Sequence, residues 1–439
     1  MPELSVEDEV VALARDLIRI DTSNPPGTET PAAEMLRGFM TASGCECELA
    51  GPDPERLNLI ARVRGSGDGP SLMLMGHTDV VPAPAGNWTV PPFEGVVRDG
   101  TMFGRGVADM KGELASRAVA VARLARSGRV PAGDVVLVAE ADEERNDSGA
   151  GMEWIVRERP DLRCDYALNE GGGTLFELPG GRRVVTIGVG EKLVSSIRLR
   201  VTGAGGHASV PVGSDNPLRG ATNIASRLLE HQFPAQDNPA VARSLAALGA
   251  PSPEDDGFDA WAASQHPELA GELPVMTRST ITPTGLEAGE PPNVIPPFAD
   301  VICDCRLMPG SAEADLHRLV REVVGDDVAY ELEVLEPLEG GTESPIDTPL
   351  FAACEAYVRE TVPGAEILPV IGAGFSDSYF VRKEWGTTAY GFAPVFHTDP
   401  TVYGAGIHAA DECLDVADLV EMTNLAIHAI ASLSASARA

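Results

Sequence analysis

The sequence predicts an α/β domain built on a mostly parallel sheet and interrupted by an inserted α+β domain. Three observations predict it. Helical and strand-like segments alternate through the first 190 residues, the pattern of parallel strands joined by helices. Near residue 190 the order changes to strands that follow one another with few helices between them. From about residue 338 the alternation resumes. The expected boundaries are 1–190 and 338–439 for the outer domain and 191–337 for the insert.

In chain order, apolar spacing predicts helices over 6–19 and 31–43, the second started by Thr30–Pro31 and stopped by Gly44. The short apolar runs "NLIARV" and "SLMLMG" read as strands. A helix over 111–127, the strand "DVVLVAE", a helix over 149–159 and the strand "DYALNE" follow. The insert opens on "KLVSSIRLRVTGAGGHASVP" and has a helix after Pro217. A Pro- and acid-rich excursion of loops and short helices occupies 234–275. The strands "MTRSTITPT" and "FADVICDCRLM", a helix near 312–324 and the strand "VAYELEVLE" complete it.

The net charge of −33 argues against nucleic acid and anionic lipid as partners. No run of 18 apolar residues occurs, so no membrane span is expected. The N-terminal segment is acidic and amphipathic, unlike a signal peptide, and a cytoplasmic location is the default expectation. Seven cysteines include "CEC" and "CDC", which lack zinc-site spacing and read as reduced, mostly buried thiols.

Chemistry gathers where strands end. "GHTDVVP" supplies His77 and Asp79, and "GRGVADMKG" places Asp109 just before a helix. "VAEADEE" delivers Glu143 and Glu144, "YALNEGGG" delivers Glu170, and "GAGIHAADE" offers His408 in a turn. In open α/β sheets such ends carry function. Clustered carboxylates repel unless positive charge lies among them, and a mixed His/Asp/Glu set suits zinc, cobalt or manganese rather than calcium.

The segments "GHTDVVP", "W-x4-F-x5-DG-x3-GRG-x2-DMKG", "DEE", "GGHASVP", "NVIPPFADVICDCRLMPG" and "GIHAADE" resemble the co-catalytic dinuclear zinc metallopeptidase family. That family contains aminoacylase, acetylornithine deacetylase, succinyl-diaminopimelate desuccinylase and glutamate carboxypeptidase, and the resemblance covers nearly the whole chain. It implies a zinc-peptidase catalytic domain with an inserted lid or dimerisation domain. It implies two divalent ions, zinc first, with cobalt or manganese as alternatives. By the resemblance His77 and Glu170 bind one ion, Glu144 and His408 the other, and Asp109 bridges them. Asp79 orients His77, and Glu143 is the general base acting on a water between the metals.

The resemblance further implies that His207 of "GGHAS" supplies an oxyanion donor, generally to the partner subunit, and hence a homodimer. Arg306 matches a residue that holds a substrate carboxylate, and Asn293 one that contacts substrate. One departure stands out: the desuccinylase-type motif Gly-Thr-Ser-Asp-Gly-Arg-Phe is "GFSDSYF" here, with Tyr379 in place of an arginine and Arg382 one helical turn on. That favours a neutral acyl or aminoacyl group. The implied reaction is hydrolysis of an amide in an N-acyl-amino acid or small peptide with a free carboxylate, of aminoacylase or dipeptidase/carboxypeptidase type. Deacetylation or desuccinylation of a biosynthetic N-acyl amino acid is the alternative. A catalytically silent binding relative is remote, since it would be expected to have lost Glu143 or a ligand. A non-metal amidase with a Ser or Cys nucleophile is disfavoured, since the Gly-x-Ser-x-Gly elbow is missing and no cysteine sits in a comparable constellation.

Overall fold

The structure, a computed structural model, describes residues 4–84, 86–289 and 291–436. Its larger sheet has nine strands. They run in the order Glu46–Ala50, Asn58–Val63, Val135–Glu140, Leu72–His77, Tyr166–Asn169, Thr388–Gly391, Arg182–Glu191 and Glu366–Gly372, with Gly172–Leu178 pairing onto Arg182–Glu191. Val135–Glu140, Leu72–His77, Tyr166–Asn169 and Thr388–Gly391 are mutually parallel, as are Arg182–Glu191 and Glu366–Gly372. The mostly parallel sheet expected from helix–strand alternation is present.

All six residues of Leu72–His77 and of Val135–Glu140 are buried, because helices cover both faces. One face packs on Val6–Ile18, Thr30–Ala42, Lys111–Ser127 and Val416–Ser436, whose Leu17, Leu36, Leu114 and Leu425 share its core. The last of these helices is long and apolar enough to cross a membrane by length and composition. Its Leu419, Met422, Leu425 and Ile430 are instead buried in that core. The opposite face meets Met152–Glu158 and the turns around Tyr379 and Phe380.

Two details differ from the sequence reading. "NLIARV" pairs antiparallel with both its neighbours, so the parallel pairing ends at Val135–Glu140, two strands short of that edge. Helix 149–159 starts only at Met152, because Gly149 and Gly151 occupy the turn before it, Gly149 with φ +62.

The second sheet is antiparallel, in the order Thr280–Ala288, Phe298–Leu307, Leu193–Thr202 and Glu331–Val334, with Glu339–Gly340 added to Leu193–Thr202. Alternate residues Ile197, Leu199, Cys303 and Cys305 face helices Pro217–Glu230 and Glu313–Val324. Both cysteines of "CDC" therefore lie in an apolar layer, where burial pushes the Cys303 thiol up to about 12. The 234–275 excursion folds into Pro239–Leu248, Phe258–Ala263 and Pro267–Val275. Its Val241, Leu248, Ala262 and Leu273 join the core of the larger sheet rather than that of the insert.

Candidate active site

His77 and Glu140 end neighbouring parallel strands and stand side by side in register. Glu143 and Glu144 follow in the turn after one strand, and Glu170 directly follows Tyr166–Asn169. That last turn needs glycine: Gly173 has φ +98, and a Cβ there would lie 1.8 Å from the Ala393 carbonyl oxygen. His408 and Asp109 are far apart in sequence. They are joined by a three-stranded ribbon in which Cys413–Asp415 pairs with Thr101–Phe103 and that strand with Val96–Arg98.

The side chains converge around Asp109. Its Oδ1 lies 3.1 Å from His77 Nε2, and its Oδ2 lies 3.1 Å from His408 Nε2. Glu170 Oε2 is 3.6 Å from His77 Nε2, and Glu144 Oε2 is 3.2 Å from His408 Nε2. Glu143 Oε2 stands 4.0 Å from His77 Nε2. The ligand-type atoms of His77, Asp109 and Glu144, and separately of His77, Glu143 and Glu170, lie within 4.8 Å of one another.

The His77 ring is fixed from behind. Its Nδ1 is 2.9 Å from the Asp79 carbonyl oxygen and 3.5 Å from the Asp79 carboxylate. A carbonyl only accepts, so Nδ1 carries the proton and Nε2 keeps its lone pair for a cation. The Asp79 carboxylate accepts from Asn24 Nδ2 at 2.9 Å and from the backbone N–H groups of Glu143 and Glu144, both at 3.2 Å. It thus ties the His77 loop to the acidic pair. Burial works to raise Asp79, but its contacts with His77, Asn24 and the Glu144 amide hold it below the usual carboxylate range.

Several residues that position this cluster were not singled out from the sequence, although Arg105, Lys111, Asp142 and Glu412 fall within the quoted motifs. Glu412 is fully buried and accepts from Arg105 Nη1 at 2.6 Å and from the amides of Gly106, Ala108 and Asp109 at 3.0, 2.8 and 3.1 Å. Arg105 also donates to the His408 carbonyl at 3.2 Å and lies 5.2 Å from the Trp88 ring centre. Asp142, at φ +64, is held by Arg56 at 3.1 Å and Asn24 at 3.2 Å, with Arg56 anchored on Glu29. Lys111 donates to the Ile20 carbonyl at 2.7 Å, and burial pushes its ammonium down to about 7. The hints in sequence were the Asn of "TSNPPG" and the final Glu of "GIHAADE".

Burial pushes Glu143 and Glu170 up, reinforced in Glu143 by Glu170 and in Glu170 by Asp109 and Glu144. Hydrogen bonds to Asp109 and Glu144 lift His408 to about 10. Burial opposes the charge on His77, yet Asp109, Asp79 and Glu170 raise it well above its ordinary value. The imidazoles thus take up the positive charge that this crowd of carboxylates demands. A pair of divalent cations supplies that charge instead, and the donor set fits them.

The cluster opens into a cavity of about 540 Å³ lined by Phe176, Met276, Phe375 and Tyr403 among others. The other expected residues lie elsewhere. His207 is exposed on the ribbon Gly206–His207, paired with Val294–Ile295, and its Nδ1 is 2.8 Å from Ser209 Oγ. Asn293 is its exposed neighbour, accepting from the Ala208 amide at 2.9 Å. Neither lines the cavity. Arg306 grips Asp304 through Nε and Nη2, both at 2.9 Å, and donates from Nη1 to the carbonyl of cavity-lining Ala373 at 3.2 Å. Tyr379 is buried against Phe375 and Phe380, and its hydroxyl accepts from Lys383. Arg382 does line the cavity, but it is engaged by Glu191, Ser344 and the Ala389 carbonyl.

Residues 73–432 match the profile of peptidase family M20/M25/M40. The succinyl-diaminopimelate desuccinylase of Rhodospirillum centenum is 31% identical over 431 residues, covering 94% of each chain. The human N-fatty-acyl-amino acid synthase/hydrolase PM20D1 is 28% identical over 346 residues, covering 75% of this chain and 68% of that one. Among solved structures, the M20 family metallo-carboxypeptidase Sso-CP2 of Sulfolobus solfataricus superposes with a TM-score of 0.71 at 17% identity, covering 97% and 99% of the two chains. Human carnosine dipeptidase 1 does so with a TM-score of 0.67 at 16% identity, covering 98% and 96%. The chain belongs to peptidase family M20/M25/M40 and is a metal-dependent hydrolase of that family.

Proposed function

We propose that the protein hydrolyses the amide bond of an N-acyl-amino acid or small peptide bearing a free carboxylate. The observation that carries this reading is the placement of Asp109, each of whose oxygens faces a different histidine. His77 and Glu170 would hold one divalent ion, Glu144 and His408 a second, with Asp109 between them and zinc the first choice. Bound there, such ions acidify a water and polarise the scissile carbonyl.

Glu143 accepts the water's proton as the C–O bond forms, then passes it to the departing nitrogen as the C–N bond breaks, releasing a carboxylic acid and an amine. Its burial beside the cluster suits a base poised above the ordinary glutamate range. His207 donates to the developing oxyanion. Because it lies exposed and away from the cavity of its own chain, it is assigned to the cavity of a partner subunit in a homodimer. The exposed Val210, Val212 and Val294 around it support a covered face. In this reading 1–190 and 338–439 form the catalytic domain and 191–337 the insertion that carries His207, Asn293 and Arg306, with its 234–275 stretch returned to the core of the catalytic domain.

Arg306 is the group assigned to the substrate carboxylate. The acyl side of the cavity offers a guanidinium, that of Arg382, already engaged on three sides, while Tyr379 is turned into the core. That supports a neutral acyl or aminoacyl group. Desuccinylation is the second reading, favoured by the 31% identity to an enzyme of that name. A panel of N-acyl-amino acids, dipeptides and N-succinyl-diaminopimelate, offered to zinc-loaded protein with products identified, separates the two. Turnover confined to the succinyl compound would overturn the neutral-acyl assignment.

A further inference from the structure

Buried carboxylates in this protein have partners. Glu29 has Arg56, Glu113 has Arg117, Glu191 has Arg382, and Glu412 has Arg105 and three amides. Among the described residues, two depart from that rule. Asp377 is 0% exposed, and neither of its oxygens meets a donor. It stands at the N-cap of Ser378–Phe380, yet its side chain makes no capping hydrogen bond. Glu140, also 0% exposed, accepts from the Gly76 amide through Oε2 at 3.1 Å and leaves Oε1 without a partner.

A third orphan shares their surroundings. Asn169 is 1% exposed, gives its Nδ2 hydrogen to Ser378 Oγ at 3.2 Å, and leaves Oδ1 unmatched. Glu140 and Asn169 end the two strands that flank Leu72–His77 in the parallel sheet, two residues beyond Val138 and Ala167. Those two residues pack with Tyr379 and Phe380, so strand alternation turns Glu140 and Asn169 to that face, where Asn169 reaches Ser378, the residue after Asp377. After burial, Glu140 is the charge that acts most strongly on Asp377. Four oxygen acceptors are thus buried at one corner, among described residues, with no donor directed to them.

A buried carboxylate is costly unless a proton or a cation neutralises it, and oxygens that meet no donor are open to a cation. The dinuclear cluster does not provide one. Asp79, Asp109, Glu143, Glu144 and Glu170 already outweigh the positive charge of two divalent ions. We propose that Glu140, Asn169 and Asp377 form a separate site for one hard divalent cation of the calcium or magnesium class, bound through oxygen alone. Oxygen-only donors without imidazole distinguish it from the zinc-type cluster beside it. The proposal rests on the dinuclear reading only for that comparison of charge.

The test is metal analysis of the full-length, zinc-saturated protein after equilibrium dialysis against calcium chloride, or magnesium chloride, at up to about 10 mM, above the weak end of protein calcium sites. The expected result is two zinc ions and one calcium or magnesium ion per chain. Asp377→Asn should keep both zinc ions and lose the third ion, and Glu140→Gln should weaken it about tenfold or more. Wild-type protein that binds no third ion overturns the proposal, as does a third ion that persists unchanged in both variants. If Asp377→Asn fails to fold, the wild-type stoichiometry and Glu140→Gln decide. Fewer than two zinc ions with a retained calcium or magnesium ion would sink the dinuclear reading and leave this one standing.

Discussion

Replacing Glu412 by alanine should loosen the loop that carries Asp109 without unfolding the sheet. The carboxylate serves one guanidinium and three backbone amides in a fully buried place. Deleting it leaves the buried Arg105 charge unpaired, a change worth about 3–5 kcal/mol. Each abandoned amide adds a desolvation cost of about 1–3 kcal/mol unless water enters, so the terms overlap rather than sum. A local loss of about 3–5 kcal/mol corresponds to roughly 10²–10³-fold or greater acceleration of exchange at the Gly106, Ala108 and Asp109 amides. Hydrogen exchange read at single residues measures it, with the amides of Leu72–His77 as the internal control. Glu412→Gln should be milder, since one oxygen still serves Ala108 and Asp109 while its NH₂ opposes Arg105. Acceleration below tenfold at those three amides, or equal acceleration across the sheet, would refute the assigned role of Glu412.

Glu143→Gln should keep its metals and lose about 10²–10⁴-fold in turnover, whereas Glu144→Gln should lose metal as well; metal content measured beside kcat tells them apart, and the reverse pattern would swap their roles. Burial and the Glu170 charge raise Glu143, so the base is active above its pKa and is lost as pH falls through it. kcat/KM should therefore fall on the acid side, and an acid limb that persists unchanged in the residual activity of Glu143→Gln contradicts the assignment. Arg306→Ala should raise KM by about tenfold or more for carboxylate substrates and far less for their amide analogues, since a charged hydrogen bond is worth about 1.5–3 kcal/mol. An equal effect on both would make Arg306 structural, held as it is by Asp304. Mixing His207→Ala with Glu143→Gln under subunit exchange should restore activity above the sum of the two, and a strictly monomeric, fully active protein would exclude donation across the dimer.

Much of the site was legible in the sequence because each strand end delivers its own ligand-type residue. "GHTD", "DEE" and "YALNE" needed no tertiary contact to be read as neighbours, only parallel strands with their carboxyl ends at one edge. What was hidden depends on long-range pairing. Nothing local in "AADE" shows that Glu412 reaches back to the Asp109 loop, a contact set by the ribbon of Thr101–Phe103 and Cys413–Asp415. Nor does composition show that helix Pro267–Val275 leaves the insert to wall the cavity with Val275, since its apolar residues suit either core. "GFSDSYF" was informative in a different way: the missing arginine was plain, but the inward turn of Tyr379 and the capture of Arg382 by Glu191 are packing outcomes.

The central claim is that His77, Asp109, Glu144, Glu170 and His408 hold two metal ions on which hydrolysis depends. The direct measurement is activity on a cleaved N-acyl-amino acid or dipeptide as metal content is stripped by exhaustive chelation and restored stepwise with zinc. Activity should vanish with the metal and return as the protein takes up two ions per chain. Hydrolysis that survives in protein confirmed free of metal would contradict it.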